Sequence, residues 1–399
     1  MKPFSRRGFL KAMGIGVGAV VGARLPGSSL VGVARAATPE PTSVVCVYLE
    51  GGINAILTGA DAFTNTAFGV NGGNITNIGG GVVVDNTMAS AIPEGIRNHV
   101  ACVGVRHGIT DHGNAQRSLF MSGNQSAPLV LANAIGGNGA IKAAVVGDDN
   151  LPNLQRPAPV NGVSLQPIRD MRATIEAIAG AASAPNVADR AGTAKGIAAA
   201  QAMSKTTLQK HANSLASLDQ GYSAAVATLG KPVQPFSVDD FNQAYGLNGT
   251  GVGLGNFRSQ MAAAELMVRA GTNFVIAQDF GWDTHNDTSG NEVRNKMNRI
   301  GPPLRTFLTR MVQDESPNRN VVVVIMGDFS RSLPTSDHQA NLSVLLIGKT
   351  IKNATTGRTD QNVGLPAGTP SIPGLWQVLA AAARVDTNPF GANPHSVLV

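Results

Sequence analysis

The run of six apolar residues at 321–326 (VVVVIM) is the feature that most restricts the fold of this chain. A strand with one solvent-facing side alternates apolar and polar residues, whereas a continuous Val/Ile run is typical of a parallel strand that helices cover on both faces. A second strand is predicted at 273–279, and the segment 291–312 between the two has the spacing of an amphipathic helix, interrupted at 301–303 by Gly-Pro-Pro. This order predicts a βαβ crossover, and therefore an α/β fold.

Acidic and histidine residues stand next to these apolar strands. Asp283 and His285 come just after the strand at 273–279, Asp328 comes just after the run at 321–326, and Asp337 and His338 precede a further apolar segment. Ligands of α/β sheets bind beyond the carboxyl ends of the strands, so these side chains are candidate metal ligands. Carboxylates with imidazoles suit Zn, Mn or Fe, and carboxylates alone suit Ca or Mg. The same residue types also cap helices and pair with arginines on surface loops, and spacing alone leaves that alternative open.

Two other segments are expected to reach the same edge of the sheet. Asn54 follows the strand predicted at 42–50 after a Gly-Gly turn. Thr110 and His112 belong to the sequence TDHG, a natural helix start that follows the strand predicted at 99–105. His112 would then lie at a helix N-terminus, where backbone N–H groups and the helix dipole favour an anion.

Residues 1–36 have the three parts of a bacterial export signal. Paired arginines lie in SRRGFLK at 5–11, an uncharged run covers 12–23, and small residues follow at 34–37. Paired arginines predict the twin-arginine export machinery as a partner and a periplasmic or secreted location. The uncharged run is shorter than the ~20 apolar residues of a membrane span. We therefore expect no stable membrane span after signal removal, with an uncleaved anchor as the alternative.

Removal of this signal changes the charge of the chain. The sequence has 31 Lys+Arg and 25 Asp+Glu. Six of the basic residues and none of the acidic ones precede residue 37, so 25 of each remain. A chain with balanced charge has no global electrostatic footprint for nucleic acid, and we expect no nucleic-acid partner.

Residues 37–399 are long enough for one large α/β domain with insertions or for two domains. An alanine-rich stretch at about 165–232 predicts a helical insertion that packs as a lid and carries no catalytic groups, and 129–132 is a candidate short strand. Cys46 and Cys102 each lie inside an apolar strand, where buried free thiols are favoured over a disulfide because bridging needs specific Cβ geometry.

Several motifs together resemble a known family. They are the signal SRRGFLK, the first-strand segment VYLEGGIN, the helix start TDHGNAQRSLFMSG, the helix-strand segment FRSQMAAAELMVRAGTNFVIAQDFGWDTH, and GDFSR followed by SDHQANLSVLLIG. They span most of the chain after the signal apart from the alanine-rich insertion. The sequence resembles the exported, sulfatase-like family called domain of unknown function 1501, within the alkaline phosphatase superfamily.

The resemblance implies a mixed, mostly parallel sheet with helices on both faces and metals at the strand ends. Asp283 and His285 match the family's DTH element, Asp328 matches the acid of its SEFGR-like element, and Asp337 with His338 matches its DHG element. The segment that begins with TDHG resembles the nucleophile-bearing helix start of sulfatases and phosphatases.

The sequence departs from the family pattern at three motifs. Asn54 stands where the family tends to have the acid of GGxD, Gln339 stands where it has the glycine of DHG, and GDFSR has a shorter acid and no glycine. The helix start carries no obvious activated Ser or Cys. Loss of ligands in several motifs together is what a catalytically degenerate relative would show.

Two functions are therefore expected as alternatives. The first is an exported metal-dependent hydrolase of phosphate or sulfate esters, with a small anionic ester as substrate. The second is a degenerate relative that keeps the fold as a periplasmic or envelope binding or assembly protein. A third, weaker interpretation treats the acidic residues as structural caps and ion pairs.

In the hydrolase, Asp283, His285, Asp328 and His338 would hold one or two divalent ions (Zn, Mn or Ca), with Asn54 and Asp337 as further candidate ligands. Arg331 or Arg106 would neutralise the anionic ester. Thr110 or a metal-bound water would attack it, and His112 would be a ligand or an oxyanion contact.

Overall fold

The computed structural model describes residues 41–137, 139, 141–147, 157–171, 173–174, 195–196, 198–203, 238–247, 253–314 and 319–399. The predicted export signal at 1–36 and most of the predicted insertion at 165–232 lie outside the described residues.

The strands are β1 Thr42–Leu49, β2 Ile53–Asn54, β3 Ile75–Asn77, β4 Val83–Asp85, β5 Val100–Arg106, β6 Met121–Ser122, β7 Gln125–Ser126, β8 Ala143–Val146, β9 Leu165–Ile168, β10 Phe274–Asp279, β11 Asn320–Gly327, β12 Ser330–Arg331, β13 Asn341–Ile347 and β14 Ala354–Thr355. The α-helices are α1 Ile56–Gly59, α2 Asn86–Ala91, α3 His112–Phe120, α4 Ala127–Ile135, α5 Val238–Tyr245, α6 Phe257–Arg269, α7 Asn291–Leu308 and α8 Ile372–Ala382.

Eight of these strands form the central sheet, in the order β14-β5-β13-β11-β1-β10-β8-β9. Every neighbouring pair is parallel except the two pairs that β13 makes with β11 and β5. The predicted mixed, mostly parallel sheet is confirmed. Because β13 runs against its neighbours, it begins at the edge where the other strands end.

The middle of the sheet is covered on both faces. All eight residues of β1 and all eight of β11 are buried. Successive side chains of a strand point to opposite faces, so complete burial requires a layer on each side of the sheet. This confirms the prediction that the Val/Ile run is a strand between two layers of helices.

The crossover from β10 through α7 to β11 is also confirmed, since both strands lie parallel to β1 on either side of it. The predicted interruption of the helix is wrong, because α7 continues through Pro302 and Pro303. A proline removes one backbone hydrogen bond of a helix. Here Ile300, Leu304 and Phe307 bury the apolar face of α7, and tertiary packing holds the helix together.

Two predicted segments differ from the structure. Residues 129–132, a candidate strand, lie inside the helix α4, whose start has a proline in its first turn. At the beginning of the predicted insertion, residues 165–168 form the edge strand β9 of the central sheet, and residues 198–203 are helical.

Cys46 and Cys102 are free and buried, as predicted. Among the described residues, the helices are all too short or too polar to cross a membrane.

Candidate metal centre

The sheet brings the predicted site residues to one edge. β1, β10 and β11 are adjacent and parallel, so their carboxyl ends deliver Gly51, Asp283 and Asp328 to neighbouring positions. β5 ends at the same edge and leads to the start of α3, where His112 is the first helical residue. His338 arrives from the turn before the antiparallel strand β13.

Asp328 is a fully buried carboxylate at the back of the site. It accepts hydrogen bonds from the Tyr48 hydroxyl and from the Gly51 N–H at 3.1 Å, and its Oδ2 lies 2.5 Å from His112 Nδ1. Burial raises the pKa of Asp328 to about 7, although the Gly51 N–H and the Arg331 guanidinium oppose that rise. Asp328 therefore faces the protein and orients His112.

The partner of His112 Nδ1 decides which ring nitrogen is free. An ionised carboxylate only accepts hydrogen bonds, so Nδ1 carries the hydrogen when Asp328 is ionised and Nε2 keeps its lone pair. His112 Nε2 is buried, has no hydrogen-bond partner within the described part of the chain, and lies 3.6 Å from Asp283 Oδ1. Burial and the nearby His338 lower the pKa of His112, which favours the neutral ring.

His338 has the same arrangement with a backbone partner. Its Nδ1 lies 2.7 Å from the carbonyl oxygen of Thr110. A carbonyl can only accept, so Nδ1 donates, and in the neutral ring Nε2 keeps its lone pair. His338 Nε2 lies 3.4 Å from Asp283 Oδ1. Two nitrogen lone pairs thus face the same carboxylate oxygen.

His112, Asp283 and His338 offer ligand atoms that all lie within 4.8 Å of one another. Four ligands around a zinc ion at 2.0–2.1 Å are spaced about 3.4 Å apart. The separations of 3.6 and 3.4 Å from Asp283 Oδ1 to the two histidine nitrogens agree with that spacing. The Asp283 side chain is 46 % exposed, so the group opens to solvent.

Arg331 is a buried cation behind Asp283. It is 0 % exposed, and its three nitrogens donate to the carbonyl oxygens of Gly51 and Ser336 and to Asp283 Oδ1. Burial raises the pKa of Asp283, but the positive charge of the Arg331 guanidinium is the main opposing cause, and the pKa lies below its usual value. Arg331 therefore keeps Asp283 ionised and fixed in position.

His285 and Asp337 form an outer rim of the site. His285 Nε2 lies 3.0 Å from Asp283 Oδ1, and His285 Nδ1 lies 3.3 Å from Asp337 Oδ1. Hydrogen bonds from the Thr335 hydroxyl and from His285 lower the pKa of Asp337. Both side chains are near Asp283 but outside the group of three.

Asn54, another predicted ligand, takes a different position. It is fully buried, its amide oxygen accepts from the Ile56 N–H at 3.1 Å, and its amide nitrogen lies 3.4 Å from Ser332 O and from Ser336 Oγ. The structure therefore uses Asn54 to hold the 332–336 turn. Thr110 contributes its carbonyl oxygen to His338, and its side chain is exposed.

Three residues of the site were not predicted from the sequence. Tyr48 donates to Asp328, and Gln116 approaches the same carboxylate at 3.4 Å. The ring of Phe329 packs under both histidines, with centroids 4.9 Å from His112 and 4.5 Å from His338. The signal for Tyr48 was a polar group inside an otherwise apolar strand, and Gln116 lies one helical turn after His112.

Comparisons with known proteins identify a family and show a likeness to solved structures. The PsFucS1 sulfatase from Pseudoalteromonas sp. is similar with a TM-score of 0.33 and 11% identity, over 89% of this chain and 70% of that chain. A TM-score this low supports no assignment. No curated protein sequence matches this chain significantly. The family model described as "Protein of unknown function (DUF1501)" matches residues 139–370, more than half of the chain, and the protein therefore belongs to the DUF1501 family.

Proposed function

We propose that the protein is a metal-dependent hydrolase of phosphate or sulfate esters, and that His112, Asp283 and His338 hold a divalent ion. The observation that carries this proposal is the placement of two histidine Nε2 atoms 3.6 and 3.4 Å from one carboxylate oxygen. Each ring already uses Nδ1, through Asp328 or the Thr110 carbonyl. A lone pair facing a carboxylate oxygen is unfavourable unless a cation lies between them.

The donor set narrows the choice of ion. Two imidazole nitrogens and one carboxylate oxygen suit Zn or Mn, whereas Ca prefers an all-oxygen shell of six to eight ligands. The buried Asp328 would orient His112 as the outer partner that metal-binding histidines usually have. His285 and Asp337 on the rim offer further ligands for a second ion.

Hydrolysis is the reaction class that this arrangement fits best. A divalent ion bound here would polarise an ester oxygen and lower the pKa of a bound water. Arg331 adds a fixed positive charge beside the site, although its nitrogens are already engaged. The protein itself orients the two imidazoles and keeps Asp283 ionised at the place where the site opens to solvent. Water is a better candidate nucleophile than the exposed Thr110, because an alcohol needs an adjacent base.

Metal content and turnover test the proposal together. Purified protein should contain or bind one Zn or Mn per chain, and should hydrolyse aryl phosphates or aryl sulfates only when the metal is present. His338→Ala should lose both properties. His99→Ala is the matched control, because His99 makes the same Nδ1-to-carbonyl contact, to Ile351 O at 3.0 Å, near the start of β5 and away from the site. Metal binding without turnover on either ester class would contradict the proposed hydrolase activity but not the proposed metal centre.

A second function is supported by one contact. Arg331 Nη2 donates to the same Oδ1 of Asp283 that faces the histidines, and so supplies a positive charge without any metal. A degenerate relative acting in periplasmic or envelope binding would keep this ion pair as its structural core. It predicts metal-free protein, no turnover, and unchanged folding after His338→Ala.

We also propose that the chain is exported by the twin-arginine route, on the basis of SRRGFLK and the uncharged run that follows it. Arg6→Lys together with Arg7→Lys should retain the protein in the cytoplasm, as measured by cell fractionation. Unchanged export of the double variant would exclude that route.

A further inference from the structure

A cavity of about 610 Å³ lies beside the carboxyl end of β10 and the start of α6. None of the three proposed metal ligands lines it. Its described lining is Gly246, Leu247, Gly255, Asn256, Phe257, Arg258, Gln260, Gln278, Asp279, Phe280 and Arg299.

Gln278 lines this cavity, and its side chain has an unsatisfied donor. The residue is 2 % exposed, and its Nε2 is buried without a hydrogen-bond partner among the residues that the structure describes. Its backbone N–H is already paired with Gln260 Oε1 at 2.8 Å. A buried amide without a partner is costly, so a ligand that offers an acceptor here would be stabilised.

The first turn of α6 adds further donors. The Asn256 side chain accepts from the Ser259 N–H at 3.0 Å, and Phe257 and Arg258 follow Asn256 at the start of this 13-residue helix. The N–H groups of a first helical turn and the helix dipole favour a negative group. The cavity therefore has donors on two of its walls.

The charged side chains that line the cavity have a net positive charge, which adds to the positive N-terminal end of the α6 dipole. Arg258 and Arg299 oppose the single acid Asp279. Asp279 Oδ2 accepts from Trp282 Nε1 at 2.8 Å and from Arg299 Nη2 at 2.5 Å, so that carboxylate is neutralised within the protein. Arg258 is exposed and donates to the Gly246 carbonyl. Two arginines against one acid leave a net positive charge for a ligand, and Arg299 has two further nitrogens, Nε and Nη1, beside the Nη2 that contacts Asp279.

The remaining lining is apolar. Phe280 is one of the few large hydrophobic residues exposed in the described parts of the chain, at 39 %. Leu247 and Phe257 also line the cavity. An exposed aromatic ring next to donors is suited to a ligand with a flat apolar body and one anionic end.

We propose that this cavity binds a small organic carboxylate with a flat apolar body, whose carboxylate is held by Gln278, Arg299 and the N-terminus of α6. This site does not depend on the proposed metal centre or on hydrolysis. It adjoins that centre through the hydrogen bond from Trp282 to Asp279, because Trp282 immediately precedes Asp283 in the chain.

Calorimetric titration with benzoate, phenylacetate and 4-hydroxybenzoate, each compared with its neutral amide, tests this site. Wild-type protein should bind at least one carboxylate at least tenfold more tightly than its amide. Arg299→Gln should weaken that binding about tenfold or more, since a hydrogen bond to a charged group is lost. Gln278→Met, which keeps the shape and removes the donor, should weaken it several-fold.

Arg305→Gln is the matched control, because Arg305 lies on the same helix α7 and donates to the Ser90 carbonyl outside the cavity. It should leave binding unchanged. Equal binding of carboxylates and amides, equal loss in the Arg299 and Arg305 variants, or no binding of any probe at millimolar concentration would overturn the proposal. His338→Ala should bind the probes like wild type, which separates this result from failure of the metal centre.

Discussion

Asp328 is the residue on which the orientation of His112 depends. Its carboxylate accepts from Tyr48, from Gly51 and from His112 in a fully buried position. We expect Asp328→Asn to keep the shape of the site but to remove the charge that fixes the His112 tautomer. Loss of such an outer partner typically weakens metal binding by about 10- to 100-fold. Competition with a chromophoric zinc chelator measures this change.

Asp360→Asn is the control for that experiment. Asp360 is also a carboxylate held by backbone donors, the N–H groups of Asn362 and Gly364, but it is exposed and belongs to a loop outside the metal site. Equal zinc affinity in wild type and in both variants would mean that Asp328 does not orient a metal ligand.

The sequence identified the acids and histidines of the site but not their arrangement. Asp283 and His338 were predicted because they flank strands that meet at one edge. The position of Asn54 was not predictable, because it depends on the pairing of β2 with β12, two-residue strands without a sequence pattern. The place of Tyr48 depends on tertiary packing, since a tyrosine in an apolar strand is more often a core side chain.

The turn after β1 is the element that places Asp283. Gly51 has φ +108°, and a Cβ there would lie 2.3 Å from the backbone nitrogen of Asp283. We expect Gly51→Ala to lower the unfolding free energy by about 3 kcal/mol, because backbone strain and overpacking add. Urea denaturation provides the measurement.

Gly108→Ala separates the two causes. Gly108 also has a positive φ, +72°, but a Cβ there would meet nothing within 4 Å. Its cost should be limited to about 1 kcal/mol of strain. Equal losses in the two variants would show that the close approach of Gly51 to Asp283 is not important.

The C-terminal segment carries a pH-dependent contribution to stability. His395 is 5 % exposed, its Nδ1 lies 2.9 Å from Thr356 Oγ1, and its Nε2 is buried without a partner in the described chain. Burial lowers the pKa of His395 to about 4, from an ordinary value of 6.5. Between these values the unfolded chain binds more protons than the folded one, so the unfolding free energy falls as the pH falls below 6.5.

We therefore expect His395→Gln to lose less stability than wild type when the pH is lowered from 7 to 5. The shift corresponds to about 2 kcal/mol at pH 5. His107, whose pKa burial also lowers to about 4, remains in both proteins and contributes equally. Parallel stability curves for wild type and variant, measured by urea denaturation at both pH values, would contradict this account.

The two cysteines report on whether the central sheet is folded. Cys46 in β1 is 1 % exposed and Cys102 in β5 is 0 % exposed. Burial raises the pKa of Cys102 to about 12, and it raises that of Cys46 as well. Thiolates are the reactive form, so both thiols should resist an aromatic disulfide reagent at pH 8 until the sheet unfolds. Rapid labelling of either thiol in native protein would contradict the buried sheet.

The fold could be predicted where the local sequence pattern indicates that a segment is buried. The all-apolar run at 321–326 identified a covered strand, and its spacing from 273–279 identified the crossover. Local patterns did not distinguish a helix from a strand at 129–132, since a short apolar run fits a buried helix as well as a buried strand. The prolines of α7 predicted a break because their cost is local, whereas the packing that offsets it comes from other parts of the chain.

Anomalous diffraction from crystals grown with Zn or Mn shows whether His112, Asp283 and His338 bind a divalent ion. We expect one peak about 2.0–2.6 Å from His112 Nε2, His338 Nε2 and an Asp283 carboxylate oxygen. Density without a peak at this position, with Arg331 still paired to Asp283 and both imidazoles in place, would contradict the metal centre.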